Sequence, residues 1–233
     1  MAYMATEKKE TDYHIGHRER MRKRLLSEDA DKMSDCDLLE MVLMCAVPRR
    51  DVKPLAKKLL EKYGSFAGVI NAPAEDITCV KGVGTGVISF FKVIRQSALR
   101  LIKTEIDSEP VINNIEKLAD YCIAKIGRDK VESLRIMFFD TKFKLIADEL
   151  FATGTVDRVS VFPREVLKKV ITFGAASFVL VHNHPSGDLA PSDDDISMTR
   201  KIMAAAESLN VKVIDHLIVS KNGYVSFKAQ GLI

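Results

Sequence analysis

His182 and His184 stand one residue apart in Val181-His182-Asn183-His184-Pro185-Ser186-Gly187-Asp188, and Ser192-Asp193-Asp194-Asp195 follows after Leu189-Ala190-Pro191. The spacing is H-x-H-x7-S-x2-D. Two imidazoles and a carboxylate leave one position open on a tetrahedral zinc ion, which is the donor set of a hydrolytic site and not of a closed structural one. Phe178–Val181 is wholly apolar and reads as a buried strand running straight into His182, so strand parity sends the His182 and His184 side chains to the same side. Ligands beyond the carboxyl end of a buried strand occupy the usual place of an α/β active site. Three aspartates compete to be the acid. Ser192 is a good N-cap, which puts Asp195 at the third helical position, and a capping box would account for both residues without any metal. It would not account for the histidines. Asp188 reads as a turn residue.

Metal-bound water needs a group to take its proton. In Phe143–Phe151 the alternation of a strand sets Phe143, Leu145, Ala147, Glu149 and Phe151 on one face, leaving Glu149 as an acid among apolar neighbours. Burial there raises a carboxyl pKa and suits it to proton abstraction near neutral pH. The plainer reading puts Glu149 at a fraying strand end, in solvent. Glu165 is the other candidate, although an acid in a first helical turn is favoured by the helix dipole alone. His216, next to Asp215, reads as a satisfied structural histidine, with support of the metal ligands as its alternative role.

The elements that must hold these residues fall into two groups. Up to Thr104 only helices are predicted: His17–Leu26, Cys36–Cys45, Val52–Tyr63 ended by Gly64, a short one from Ser65 to Ile70, and Gly84–Ile102. Mixed charge and Pro110 then suggest a linker. Beyond it helices Ile115–Ile126, Arg164–Phe173 opened by Pro163, and Ser192–Leu209 alternate with strands Leu134–Phe139, Phe143–Phe151, Phe178–Val181, Val211–Val219 and one from Gly223. The expectation is an all-α N-terminal domain (1–103), a linker (104–110) and an α/β C-terminal domain with a mixed sheet (111–233). The formal charge of +3 is too small to imply nucleic acid by itself. Cys36, Cys45, Cys79 and Cys122 form no C-x-x-C pair, which argues against a zinc knuckle or a disulfide framework. Neither H-E-x-x-H nor the P-C-x-x-C of nucleobase deaminases occurs. The polar stretch Met1–Thr11 has no signal-peptide character and no apolar run is long enough to span a bilayer, so a cytoplasmic protein with no membrane partner is expected.

The H-x-H-x7-S-x2-D spacing resembles the JAMM motif of MPN-domain metallopeptidases. The wider text resembles the bacterial RadC family over almost the whole chain: Gly154-Thr155, Val161-Phe162-Pro163-Arg164-Glu165-Val166, Ala175-Ala176, His182–Asp188 and Asp215-His216, with GHRERMRKRLL, DLLEMVL, PRRDVKPLAKKLLEKYGS and VKGVG in the first half. The resemblance implies a three-layer α/β/α MPN domain (JAB-like, cytidine-deaminase-like). In it His182, His184 and Asp195 would hold Zn2+, Ser192 would orient water or stabilise an oxyanion, and Glu149 would be the base. It also implies attack of metal-activated water on an amide or isopeptide carbonyl, and its name points to DNA repair.

Cys79-Val80-Lys81-Gly82-Val83-Gly84 precedes the longest helix and resembles a helix-hairpin-helix turn, in which glycines bring backbone amides to a phosphate. Lys81, Gly82 and Gly84 are therefore candidate nucleic-acid contacts, and Gly-x-Gly is equally the sequence of a tight turn. Arg18, Arg20, Arg22, Lys23 and Arg24 make a second basic run, which a solvated helix face explains equally, and Arg49-Arg50 make a third. The leading expectation is a zinc hydrolase acting on a peptide or protein substrate, with an N-terminal helical adaptor for which DNA is the candidate partner. The alternatives are a non-catalytic DNA-binding accessory protein with a structural metal, and a metal-dependent nuclease.

Overall fold

The structure is a computed structural model that describes residues 16–27, 30–108, 110–154 and 161–233. Met1–Thr11, Glu109 of the expected linker and Thr155 lie outside the described residues. The chain divides into two compact units, Met1–Ala98 and Leu99–Ile233.

The first unit is helical. Its helices are α1 (His17–Leu25), α2 (Asp35–Ala46), α3 (Lys53–Tyr63), α4 (Phe66–Ile70) and α5 (Ala74–Thr78), and it holds the start of α6 (Thr85–Ser108). α2 begins with a full capping box between Ser34 and Asp37, and α3 stops at Gly64, whose φ of 81° suits glycine alone. Leu39, Leu43, Ala56, Leu59 and Val69 are fully buried between the helices. α1 is almost bare of apolar residues and buries only Met21. Polar clamps hold it instead. His17 Nε2 lies 2.8 Å from the buried Glu40 carboxylate, and Arg18 donates to the carbonyls of Met44, Val47 and Arg50. Arg24 donates to Asp37 at 3.0 Å. Two residues of the basic run thus serve the fold.

The second unit is built on a five-stranded sheet of order β2-β1-β3-β4-β5. The strands are β1 (Ser133–Phe139), β2 (Leu145–Thr153), β3 (Ser177–Asn183), β4 (Lys212–Ser220) and β5 (Gly223–Ser226). β3 and β4 run parallel and the other pairs antiparallel, so the sheet is mixed. β3 is buried at every position, as a central strand covered on both faces must be. On one face α7 (Ile115–Ile126) packs Leu118, Ala119 and Cys122 against Met137, Val179 and Val181. On the other, α8 (Pro163–Phe173) and α9 (Asp193–Glu207) pack Val166, Val170, Ile202 and Ala206 against Ile136, Phe138, Phe178 and Leu180.

Two details depart from the sequence reading. α6 continues to Ser108, so 104–108 is helical where a linker was expected; Leu99 and Ile106, seven residues apart on one helical stripe, are buried in the second unit's core. In β2 a bulge opposite Phe138/Phe139 breaks strict alternation, so Phe143 and Leu145 pack with the α7-side core while Ala147 and Phe151 pack with the other. Between them Asp148, 6% exposed, receives Lys125 and Arg135 and the Tyr121 hydroxyl. Burial pushes its carboxyl up, but the two cations and the phenol hold it below the ordinary carboxylate range.

Candidate metal centre

The β3 strand ends at Asn183, so His182 sits on its last turn of pleat and His184 just beyond it. Asp195 comes from the first turn of α9, the helix that crosses over from β3 to β4. One ligand atom from each of His182, His184 and Asp195 lies within 4.8 Å of the others. Asp195 is buried while Asp193 and Asp194 are exposed, which separates the three rival acids.

The Ser192/Asp195 capping box is present, and it coexists with the cluster. Asp195 Oδ2 accepts from Ser192 N (2.9 Å) and Ser192 Oγ (2.6 Å), and Ser192 Oγ accepts from Asp195 N at 3.1 Å. Oδ1 is left facing His182 Nδ1 at 3.4 Å. The Ser192 hydroxyl is thereby committed to its own helix, donating to Asp195 Oδ2.

Proton positions at the histidines follow from their partners. His184 Nδ1 is 2.7 Å from the carbonyl of Asp188, which only accepts, so Nδ1 carries the proton and Nε2 is bare, 3.8 Å from Asp195 Oδ2. His182 Nε2 is 2.8 Å from the Glu132 carboxylate and donates to it. Its Nδ1 is then bare, and it is buried with no hydrogen-bond partner among the described residues. An orphaned buried acceptor beside a second bare imidazole nitrogen and a carboxylate oxygen is the donor set a divalent cation satisfies. These residues fit zinc, and each histidine has the second-nitrogen hydrogen bond that fixes a ligating tautomer. Burial lowers the His182 pKa against the opposing pull of Asp195, so the ring stays neutral and able to ligate. Burial raises the Asp195 carboxyl, yet His182 and the Ser192 hydrogen bonds hold it below its usual range, so it is ionised.

Glu132 is the acid that the sequence reading missed. It precedes β1, whose antiparallel register sets Leu134 opposite His182, so the start of β1 lies beside the end of β3. Asn183 pins that approach. Its Oδ1 accepts from Ser133 N at 2.8 Å and Ser133 Oγ at 2.7 Å, and its Nδ2 donates to the Val131 carbonyl at 3.1 Å. Gly154 N–H adds a 3.0 Å bond to the Glu132 carbonyl. Glu132, His184, Val131, Gly154 and Pro185 line a cleft of about 500 Å³.

The structure does not bring Glu149 to this cluster. Its carboxylate accepts from Lys169 of α8 at 2.9 Å and is 36% exposed, on edge strand β2 with β1 lying between it and β3. Alternation did put it on the right face of the sheet, but on the wrong strand. Glu165 is exposed in the first turn of α8, 3.4 Å from Arg164. Lys81, Gly82 and Gly84 are exposed in the first unit, at the turn between α5 and α6. Gly82 has a φ of 103°, a conformation only glycine adopts readily. A second cavity of about 350 Å³ there is lined by Arg50, Lys58, Lys81 and Gly82.

The family model for a RadC-like JAB domain matches residues 112–232, and that for the UPF0758 N-terminal domain matches residues 13–88. A UPF0758 protein of Rhodobacter capsulatus is 45% identical over 213 residues, covering 91% of this chain and 100% of the relative. A UPF0758 protein of Ruegeria pomeroyi is 44% identical over 221 residues, covering 95% of this chain and 99% of the relative. With a helical first unit, a mixed five-stranded α/β second unit and matches along most of its length, the chain belongs to the RadC-like JAB-domain family that carries a UPF0758 N-terminal domain.

Proposed function

We propose that the chain is a zinc-dependent hydrolase of amide or isopeptide bonds. The observation that carries this reading is the convergence of bare His182 Nδ1, bare His184 Nε2 and Asp195 Oδ1 beside the Glu132 carboxylate at the wall of a cleft. Bound zinc would supply a water of lowered pKa and polarise the substrate carbonyl. His182, His184 and Asp195 would hold the ion, beside the cleft that His184 and Glu132 line. Glu132, in place of Glu149, is the cleft carboxylate that would take a proton from the attacking water and pass it to the leaving nitrogen. Asn183 holds Glu132 in reach, and Pro185 and Val131 give the cleft an apolar wall that limits water. Ser192 serves this arrangement by orienting Asp195.

The test is zinc content of untagged chain, wild type beside His182→Ala/His184→Ala, followed by peptide and isopeptide hydrolysis by Glu132→Gln. About one zinc per chain that the double variant loses, and a Glu132→Gln chain that keeps zinc but loses about 10²–10⁴ in rate, is the expected pattern. A zinc-loaded Glu132→Gln chain with full activity removes Glu132 as the base.

A second reading concerns the first unit, which we propose contacts a nucleic-acid backbone. The positive φ of Gly82 and the exposed amide end of the long α6, beside Lys81, Lys58 and Arg50, support it. Such contact is sequence-independent and weakens with salt. Binding that Lys81→Glu leaves unchanged would take the turn out of the argument.

A further inference from the structure

His216 lies beneath His182 on the same face of the sheet. In the parallel β3–β4 pair Leu180 is opposite His216 and Ile218 is opposite His182, and residues two apart share a face. The His182 and His216 rings are 5.8 Å apart at 25°, and the Phe227 ring is 4.3 Å from that of His216. His216 and Thr199 are both fully buried.

One hydrogen-bonded chain links these residues to a metal ligand. Thr199 Oγ1 is 2.6 Å from the Asp195 carbonyl, which only accepts, so the hydroxyl proton points there. The same Oγ1 is 2.7 Å from His216 Nδ1 and, its proton already placed, accepts from Nδ1–H. His216 Nε2 is then a bare lone pair, buried with no partner among the described residues. A satisfied structural histidine, the expectation from sequence, would have both nitrogens bonded. Here the ring is oriented by one hydrogen bond and by its contacts with two other rings, one of them a ligand.

We propose that Thr199 and His216 are positioning residues for the metal ligands. The chain from Asp195 C=O through the Thr199 hydroxyl to His216 Nδ1–H ties the first turn of α9 to β4, while the His216 ring backs the ring of His182. Together they fix the spacing between His182 Nδ1 and the Asp195 carboxylate before a cation arrives. This inference rests on the metal reading of the site, and it adds two residues that touch neither the ion nor the substrate.

The experiment uses full-length, metal-stripped chain titrated with cobalt(II), with the visible absorption as readout, and with zinc against a competing chelator. Thr199→Val removes the hydroxyl at nearly constant volume, Thr199→Ser keeps it, and His216→Phe keeps an aromatic ring without the nitrogen. Thr199→Val should bind zinc about 10–100-fold more weakly and shift the cobalt bands, the range found when groups supporting metal ligands are removed. Thr199→Ser should restore wild-type affinity. His216→Phe should match Thr199→Val, and the double variant should be no worse than either, because the chain acts as one unit. Should His216→Phe fail to fold, the valine and serine pair carries the test. Wild-type affinity and spectrum in Thr199→Val, or a Thr199→Ser chain as impaired as Thr199→Val, overturns the positioning role alone. A wild-type chain that takes up neither cobalt nor zinc removes the metal reading, and this inference with it.

Discussion

Metal-free protein should lose stability in mild acid, and His216 should account for much of the loss. Burial, reinforced by the neighbouring His182, pushes the His216 pKa down to about 3, against 6.5 for an ordinary histidine. In the unfolded chain this imidazole takes a proton as pH falls below about 6.5, while in the fold it does not until about pH 3. The unfolded state therefore binds more protons across that window, and stability falls as pH falls. Between about pH 7.5 and pH 5 the single group costs the fold about 2 kcal/mol. That is a large share of the 5–15 kcal/mol, roughly, that holds a domain together. His182 is depressed by burial too and adds in the same direction. Asp195, depressed instead as an acid, stabilises above its unfolded pKa and gives that up only as pH falls below the ordinary carboxylate range, outside this window. Urea unfolding of chelator-treated chain at the two pH values measures the loss, and His216→Phe should shrink it by about 2 kcal/mol. If the variant and the wild type lose stability equally between the two pH values, His216 is not a buried neutral imidazole and the proton assignments beneath the site are wrong.

Asp148→Asn should destabilise the second unit by about 3–5 kcal/mol in chemical denaturation, because Lys125 and Arg135 lose the buried carboxylate that they share. Glu149→Gln should cost less than about 1 kcal/mol and leave hydrolysis and zinc content unchanged, since its partner Lys169 is 43% exposed. Gly187→Ala should cost at least about 1 kcal/mol and weaken zinc binding: φ there is +88° and the new Cβ would stand 3.0 Å from Asn222 Nδ2, whose bond to the Gly187 carbonyl closes the turn after His184. Melting temperature and zinc titration of the same preparation read both effects.

How much of the site was legible in the sequence depended on how local its cause was. His182 and His184 follow from a short apolar run and a period of two, whereas Asp195 stood out from Asp193 and Asp194 only through the family resemblance, because its cap three residues away explains it without a metal. Glu132 was hidden because it comes near His182 only through the pairing of β1 with β3, fifty positions on, and through Asn183, whose amide joins the two. The same alternation that made Glu149 attractive carries no information on which strand is an edge, nor on Lys169 waiting in α8. The all-α and α/β halves were readable from periodicity, whereas the end of α6 was set by Leu99 and Ile106 finding a core in the second unit. For His216 a buried strand position was readable, but not that one of its nitrogens would find no partner among the described residues.

The histidines belong to the end of a strand and the aspartate to the start of the next helix, with residues 185–194 strung between them. An ion held by all three would act as a reversible cross-link that closes this segment into a ring and withdraws the conformational freedom that the loop has in the unliganded chain. Pro185, Ser186, Asp188 and Ala190 in it are exposed, so a protease should reach the peptide bonds here first when the ion is removed and be slowed when it is restored. Occupancy would then be legible as the lifetime of one stretch of backbone, with no substrate in hand.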